Sequence, residues 1–284
     1  MSIPVPGRIA EVLRRSTVQI RSGTGRRQGC GSAVMLHREQ LVTNAHVLTA
    51  PDVTVESWEG KTTSATIVKT DRRRDLALLA APGLDALPAQ LGDSAQLKAG
   101  APLIAVGNPL GFVGAVSTGV VHSIGPIEHI GNLAWIRADI RLAPGNSGGP
   151  LADWQGQVVG VNTMIVSGGL ALAVPSREVQ RFLQRKNSPL SLGVVIRPVA
   201  WKGGALGMMI LELVDGSAAE QASLLPGDVL VAADGRHFRS VDDLQASIDE
   251  APGMLLHLDF YRGGQNTLRQ VTVRLLPERV RYAA

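Results

Sequence analysis

The chain of 284 residues is 45% hydrophobic, only 4% aromatic and 18% charged, and it contains 32 glycines. This composition is too apolar for a disordered protein, its glycines lack the three-residue period of collagen, and no apolar run approaches the ~20 residues of a membrane span. The net charge of +4 sits in short clusters without a long basic stripe or a reading motif, which argues against a nucleic-acid partner.

The first two thirds of the chain predict mainly strands. Residues 8–20 have the apolar spacing of a short helix. Short apolar runs bounded by Gly, Pro, Asn or Asp then predict strands at 31–36, 40–43, 53–57, 63–68, 76–80, 102–106, 116–124, 135–140, 157–162 and 170–174. Pro175 and Ser176 begin a helix that runs to about residue 185. Regular short strands without long helices between them indicate a barrel or a sandwich.

The pattern changes after a polar break at 186–189. Helical patterns at 218–222 and 242–249, the second with Ser240 as its N-cap, interrupt strands near 192–197, 208–214, 228–233, 255–261 and 268–276. Residues 1–186 carry 19 Lys/Arg against 13 Asp/Glu, whereas 187–284 carry 9 against 11. We therefore predict a mainly β chain with two domains, 1–186 and 190–277, of which the second is a small α+β domain.

The start of the chain and its single cysteine bear on the compartment. The start has no basic-then-apolar signal segment, so a native start predicts a cytoplasmic protein, whereas removal of a leader would fit the periplasm or envelope. Cys30 has no partner for an internal disulfide, and we expect it to be a buried apolar thiol. We predict neither a metal nor a cofactor.

Three segments carry the residue types of a nucleophilic catalytic site, in the order His46, Asp75, Ser147. A serine hydroxyl is a weak nucleophile at neutral pH and needs a base within hydrogen-bond reach, for which histidine has a suitable pKa. An aspartate can fix the histidine tautomer and stabilise the protonated ring. Since His, Asp, Ser is one known order of this triad, we predict these three residues as catalytic.

The turn around the serine has a second predicted role. Acyl transfer builds negative charge on a carbonyl oxygen, which backbone N–H groups can stabilise from ~3 Å. The N–H groups of Gly145 and Ser147 lie two residues apart in a glycine-rich turn, and the glycines allow a close approach of the substrate. We predict that these two groups form an oxyanion hole.

Several motifs together resemble the HtrA (Deg-type) family of chymotrypsin-fold serine proteases with a C-terminal PDZ domain. They are the segments 31–34, 43–47, 75–79, 91–94, 107–111, 144–151 and 173–176, and the resemblance extends over nearly the whole chain. The resemblance implies a double β-barrel followed by a PDZ domain, and a serine endopeptidase that forms an acyl-enzyme with unfolded or misfolded proteins. It also implies that Asp139 is structural. A homo-oligomer, a trimer in this family, stays open because no aromatic residue precedes Trp58.

The first substrate subsite follows from the same resemblance. In this fold it is lined by the segment just before the serine turn and by a later strand, which here contribute Leu142 and Leu172. No acidic residue is placed at the pocket base, so we expect small or medium aliphatic residues at the cleaved position. We expect Arg141 to point outward.

The second domain contains runs typical of PDZ domains, at 216–219, 225–230 and 233–235. PDZ domains bind an extended C-terminal peptide by adding it to a sheet edge. By resemblance, the carboxylate-binding loop is 191–194, and the predicted peptide-binding residues are Leu192, Gly193, Val194, Ile196, Val241, Leu244 and Ile248.

Two alternatives remain at the level of the sequence. One is a latent or inactive protease that acts as a peptide-binding, chaperone-like protein, although all three triad residues are present. The other is a processing protease dedicated to one partner protein, which would cut that protein once and leave casein intact.

Overall fold

A computed structural model of the chain describes residues 6–23, 28–127, 131–165, 169–184, 190–201, 205–263 and 267–277. The chain divides into two compact units between residues 186 and 187, and each unit has its own hydrophobic core. The predicted mainly β class with a double barrel is confirmed.

The first unit begins with helix α1 (Pro6–Ser16) and a closed six-stranded barrel. The strands are β1 (Thr17–Ser22), β2 (Gly29–His37), β3 (Gln40–Thr43), β4 (Val53–Glu56), β5 (Thr62–Asp71) and β6 (Leu76–Ala80). They pair antiparallel in the order β1-β2-β3-β6-β5-β4. Alternate side chains point inward, so that Ile20, Leu41 and Leu79 fill the barrel.

A second closed barrel follows and ends in helix α2 (Ser176–Gln184). Its strands are β7 (Pro102–Gly107), β8 (Ala115–Ile127), β9 (Gly131–Ile140), β10 (Pro150–Asp153), β11 (Val158–Ile165) and β12 (Ala171–Pro175). Their order is β10-β11-β12-β9-β8-β7. One buried cluster combines side chains of both barrels, such as Val42 and Trp135, with Leu13 of α1 and Phe182 of α2. This shared core holds the two barrels together, because it is removed from water only when they pack.

The second unit is a sheet with helices around one core. Its elements are β13 (Leu190–Ser191), β14 (Val194–Ala200), β15 (Leu206–Leu213), α3 (Ala218–Gln221), β16 (Val229–Ala233), β17 (Arg236–His237), α4 (Val241–Glu250), β18 (Leu255–Tyr261), β19 (Arg269–Arg274) and β20 (Leu276–Pro277). The main sheet has the order β14-β15-β16-β18-β19, with β17 beside β16, while β13 pairs with β20. Strand β14 is therefore an edge strand. Ser240 precedes α4 as predicted, and its N–H donates to Asp243 at 3.0 Å.

The structure corrects the sequence-based assignment at two strands, β1 and β10. Residues 17–20 were expected to continue the first helix, but they form β1, in which Val18 and Ile20 are buried between β2 and β4. Tertiary pairing overrides the local helical spacing here. The sequence also missed β10, a strand of four residues that starts at a proline.

Cys30 is exposed, so the expectation of a buried thiol is wrong. Side chains alternate along β2. A Cβ added to either flanking glycine, Gly29 or Gly31, would meet Val47 at 2.4 or 2.7 Å, so these positions face the protein. Cys30 consequently faces solvent.

Candidate active site

The three predicted catalytic residues come from both barrels. His46 lies in a short 3₁₀ turn (Ala45–Val47) after β3, and Asp75 lies directly before β6, which pairs with β3. Ser147 lies in the turn between β9 and β10 of the second barrel. The packing of the barrels therefore brings together residues that are 29 and 72 positions apart in the printed sequence.

Asp75 orients the histidine through two contacts. Its Oδ2 lies 2.7 Å from His46 Nδ1, and its Oδ1 accepts the backbone N–H of His46 at 3.0 Å. A carboxylate at Nδ1 favours the tautomer with the proton on that nitrogen, which leaves Nε2 as the base. The His46 side chain is 48% exposed and that of Asp75 is 14% exposed. The base thus faces solvent while its orienting acid is shielded.

Two further side chains that the sequence did not single out hold Asp75. The Thr163 hydroxyl, from β11 of the second barrel, donates to Asp75 Oδ2. The Asn44 amide donates to the Asp75 carbonyl at 2.8 Å, which holds a residue whose φ is +53°. Asn44 belongs to the quoted histidine motif, whereas Thr163 lies 88 residues from Asp75 and carries no local signal.

The nucleophile makes a different contact from the one expected. The Ser147 hydroxyl donates to the Thr163 carbonyl at 2.7 Å, and within the described part of the chain no hydrogen bond joins it to His46. Catalytic hydrogen bonds are often absent without substrate and form in the Michaelis complex. The structure thus places the three residues together with the Asp–His bond made and the Ser–His bond unmade.

The turn before Ser147 presents two free backbone donors. Neither the Gly145 N–H nor the Ser147 N–H has an acceptor among the described residues, whereas the intervening Asn146 N–H donates to Ala143 at 3.0 Å. Gly145 has φ of +104°, and a Cβ there would lie 2.5 Å from the Asn108 carbonyl oxygen. Only glycine fits this position.

The two predicted subsite residues lie in different surroundings. Leu142 packs against the cluster that contains Ala171 and Ala173. Leu172 is fully buried in the separate cluster shared by the two barrels, because neighbouring side chains of β12 point to opposite faces. Leu172 therefore faces a different cluster from the one that Leu142 packs against. Arg141 is exposed, as expected.

In the second unit, the predicted carboxylate loop is a tight turn. Gly193 has φ of +73°, and its N–H donates to the Ser191 hydroxyl at 3.0 Å. The carbonyls of Leu192 and Gly193 accept the N–H groups of Ala219 and Val214, both at 2.9 Å. The carbonyls are thus directed into the unit.

The other predicted groove residues divide by exposure. Val194 and Ile196 are half-buried on the edge strand β14, and Val241 on α4 is exposed. Leu244 and Ile248 are buried in the core together with Leu192, so their side chains do not reach the surface in this structure.

Two properties of the described ranges concern metal sites and membrane spans. Within them, no group of three or more His, Cys, Asp or Glu side chains could hold a metal ion. No helix in the same ranges is long and apolar enough to cross a membrane.

Comparisons with known proteins bear on both units. A family model described as "Trypsin-like peptidase domain" matches residues 31–161, and one described as "PDZ domain" matches 209–262. The chain is 34% identical to serine protease PepD of Mycobacterium tuberculosis, over 94% of this chain and 66% of that protein. It is 35% identical to a probable periplasmic serine endoprotease, DegP-like, of Chlamydia trachomatis, over 84% of this chain and 52% of that protein.

The solved structures agree with this assignment. The HtrA-type protease AlgW with a tripeptide superimposes with a TM-score of 0.66 at 26% identity, over 97% of this chain and 99% of that chain. The chain spans about half to two thirds of the length of the curated relatives it matches. Since a trypsin-like peptidase domain precedes a PDZ domain and the fold matches an HtrA-type protease over nearly its full length, this chain belongs to the HtrA family.

Proposed function

We propose that the chain is a serine endopeptidase, with residues 1–186 as the protease domain and 190–277 as the PDZ domain. The observation that carries this proposal is the Asp75–His46 contact of 2.7 Å, beside a serine turn whose Gly145 and Ser147 N–H groups have no acceptor among the described residues. Peptide hydrolysis by a serine requires a base that activates the hydroxyl and hydrogen-bond donors that stabilise the oxyanion.

In the proposed mechanism, Ser147 Oγ attacks the scissile carbonyl while His46 Nε2 takes its proton. The resulting oxyanion accepts hydrogen bonds from the Gly145 and Ser147 N–H groups. The tetrahedral species collapses as His46 returns the proton to the leaving amine, which leaves an acyl-enzyme. Water then attacks the ester, with His46 again as base, and releases the acid and the free serine. Asp75 stays ionised and stabilises the imidazolium.

The first subsite is proposed to accept small or medium aliphatic side chains. Leu142 packs against an apolar cluster that includes Ala171 and Ala173, and this cluster offers no charge to a basic or acidic side chain. A buried charge without a partner is strongly disfavoured, so cleavage after Lys or Arg would be slow.

The second domain is proposed to bind C-terminal peptides. An extended peptide would add to the edge strand β14, beside Val194, Ile196 and α4, with its carboxylate at the Gly193 N–H. The structural relative AlgW is recorded with a tripeptide, which supports peptide ligands for this chain. Unfolded or misfolded proteins are the proposed substrates, and a homo-oligomer stays a prediction.

The experiment that tests catalysis compares wild type with Ser147→Ala. We expect wild-type protein to hydrolyse casein and to be labelled by a fluorophosphonate, because both reactions need an activated serine. The variant should lose both reactions and nearly keep its melting temperature, since the hydroxyl is only partly buried and makes a single hydrogen bond. Added C-terminal peptides show whether the second domain alters the rate.

Two results would reject this proposal, and a third would keep the endopeptidase but replace its proposed substrates. If wild type neither cleaves casein nor labels, with or without added peptides, but binds C-terminal peptides, the chain is the latent, chaperone-like protein. If Ser147→Ala hydrolyses casein as fast as wild type, the triad is misassigned. Labelling without casein cleavage, together with one cut in one partner protein, would identify a dedicated processing protease.

A further inference from the structure

The side chain of Ser32, on β2, is fully buried, and all of its hydrogen-bonding capacity is used. A serine hydroxyl has one proton to donate and two lone pairs. Ser32 Oγ donates to the Gly145 carbonyl at 2.7 Å, and it accepts the Asn108 backbone N–H at 2.9 Å and the Asn108 side-chain amide at 3.2 Å. One hydroxyl therefore joins β2, the segment after β7 and the serine turn.

The backbone of Ser32 holds the same turn at a second point. Its N–H donates to the Ser147 carbonyl at 2.8 Å. Ser32 thus binds the carbonyls of Gly145 and Ser147, the two residues whose N–H groups form the proposed oxyanion hole. Between them, the Asn146 N–H is held by Ala143. Each end of the tripeptide 145–147 is attached to the same residue of the first barrel.

The hydrogen bond from the Ser32 hydroxyl to the Gly145 carbonyl matters because Gly145 has no Cβ. A residue without a Cβ has few steric limits on the rotation of its flanking peptide planes, and Gly145 already has φ of +104°. A hydrogen bond to its carbonyl limits that rotation. The Asn108 side chain in turn accepts the Gly114 N–H at 2.8 Å, so the hydroxyl is itself held in place.

We propose that Ser32 is a positioning residue that aims the Gly145 and Ser147 N–H groups at the substrate oxyanion. The proposal rests on the proposed function. Removal of the hydroxyl leaves the Gly145 carbonyl and two Asn108 donors without their buried partner. The turn then keeps its backbone hydrogen bonds at Asn146 and Ser147 but loses the one that orients the Gly145 carbonyl. Because the oxyanion forms after binding, the loss should appear in kcat and not in KM.

Ser22 on β1 supplies a closely matched control. It is also fully buried, and its hydroxyl donates to the Ala50 carbonyl at 3.0 Å and accepts the N–H groups of Thr49 and Ala50, both at 3.0 Å. Ser22→Ala therefore removes the same number of hydrogen bonds in the same barrel, one donated and two accepted, and its partners lie at residues 49 and 50 rather than in the serine turn.

The test measures kcat, KM and melting temperature of Ser32→Ala and Ser22→Ala on a peptide substrate, with inhibition by a peptide aldehyde whose adduct carries an oxyanion. We expect similar losses of melting temperature in both variants. In Ser32→Ala alone, kcat should fall about 10–100-fold, since removal of a whole oxyanion donor costs about 10²–10³-fold. Its KM should stay within about twofold of wild type, and aldehyde inhibition should weaken in parallel with kcat. Equal kcat in the two variants, or a change confined to KM, would overturn the proposal.

A second measurement separates this proposal from the proposed function. Hydrogen exchange over residues 143–147 should accelerate in Ser32→Ala and stay at the wild-type rate in Ser22→Ala, whether or not the protein hydrolyses casein. If wild type is inactive, the endopeptidase proposal fails, and the exchange rates decide whether Ser32 holds the turn. Unchanged exchange in Ser32→Ala would reject the positioning role even in an active enzyme.

Discussion

Thr163 connects the nucleophile and the acid of the proposed triad. Its hydroxyl donates to Asp75 Oδ2, and its carbonyl accepts the Ser147 hydroxyl at 2.7 Å. The residue is buried, so water does not compete for either contact. A single strand of the second barrel therefore sets the position of an aspartate from the first barrel, and this hydrogen bond spans the junction between the barrels.

We expect Thr163→Val to lower kcat/KM about 10–100-fold. Valine keeps the shape but removes the hydroxyl, and a hydrogen bond to a charged group is worth about 1.5–3 kcal/mol, where 1.4 kcal/mol is a factor of ten in rate. Steady-state kinetics on a peptide substrate measure the effect. Thr163→Ser is the control, because it keeps the hydroxyl and should retain most of the activity. A valine variant with wild-type kcat/KM would contradict this account.

Helix α2 is attached to the loop that carries Asp75. Arg74, the residue before Asp75, donates to Asp71 at 2.7 Å and to Glu178 of α2 at 2.8 Å. Burial by itself would lower the pKa of Arg74, but the hydrogen bonds and charges of Glu178 and Asp71 outweigh it and raise the pKa above its usual value. The guanidinium stays charged and links the first barrel to the helix that follows the second.

Replacement of Arg74 by methionine should destabilise the first unit by about 3 kcal/mol, because it removes a partner of two buried carboxylates, Asp71 and Glu178. The midpoint of urea unfolding measures this loss. Arg181 also contacts Glu178, but its side chain is 64% exposed, so Arg181→Ala should cost less than about 1 kcal/mol. Equal losses in the two variants would show that burial does not set the strength of this ion pair.

At the scale of the whole molecule, the chain builds two units with separate cores. In the second unit, the buried Asp228 carboxylate accepts two hydrogen bonds from Arg262, at 2.8 and 2.7 Å, and one from the Leu225 N–H at 2.8 Å. This pair connects the turn before β16 to the end of β18. Units with separate cores need not unfold in one transition.

We expect Arg262→Met to lower the unfolding temperature of the second unit, since it leaves Asp228 charged and buried with one remaining donor. Calorimetry with two resolved transitions would assign the change, which should be about 3 kcal/mol. The matched control is Arg236→Ala. That side chain is 83% exposed and lies 3.9 Å from Glu250, so its loss should stay within about 0.5 kcal/mol. A uniform shift of both transitions in Arg262→Met would contradict separate cores.

The local pattern of apolar and turn residues predicts much of the secondary structure. Short apolar runs between turn residues predicted most strands, because a strand in a barrel buries alternate side chains and ends where the chain must turn. The prediction failed where pairing decides. Residues 17–20 form a strand because β2 and β4 lie on either side, and Leu172 faces the shared core because of its register on β12. The residues adjacent in the sequence predict neither this strand nor this register.

The sequence by itself determined the two-domain β architecture, the family, and the residues His46, Asp75 and Ser147 as candidates, since each lies in a short motif with its own chemistry. Only the tertiary structure decided which groups hold them. Thr163 reaches Asp75, and Ser32 reaches Gly145, across 88 and 113 residues. Such contacts depend on the packing of two closed barrels. A serine or threonine in the sequence does not show which distant group its hydroxyl will contact.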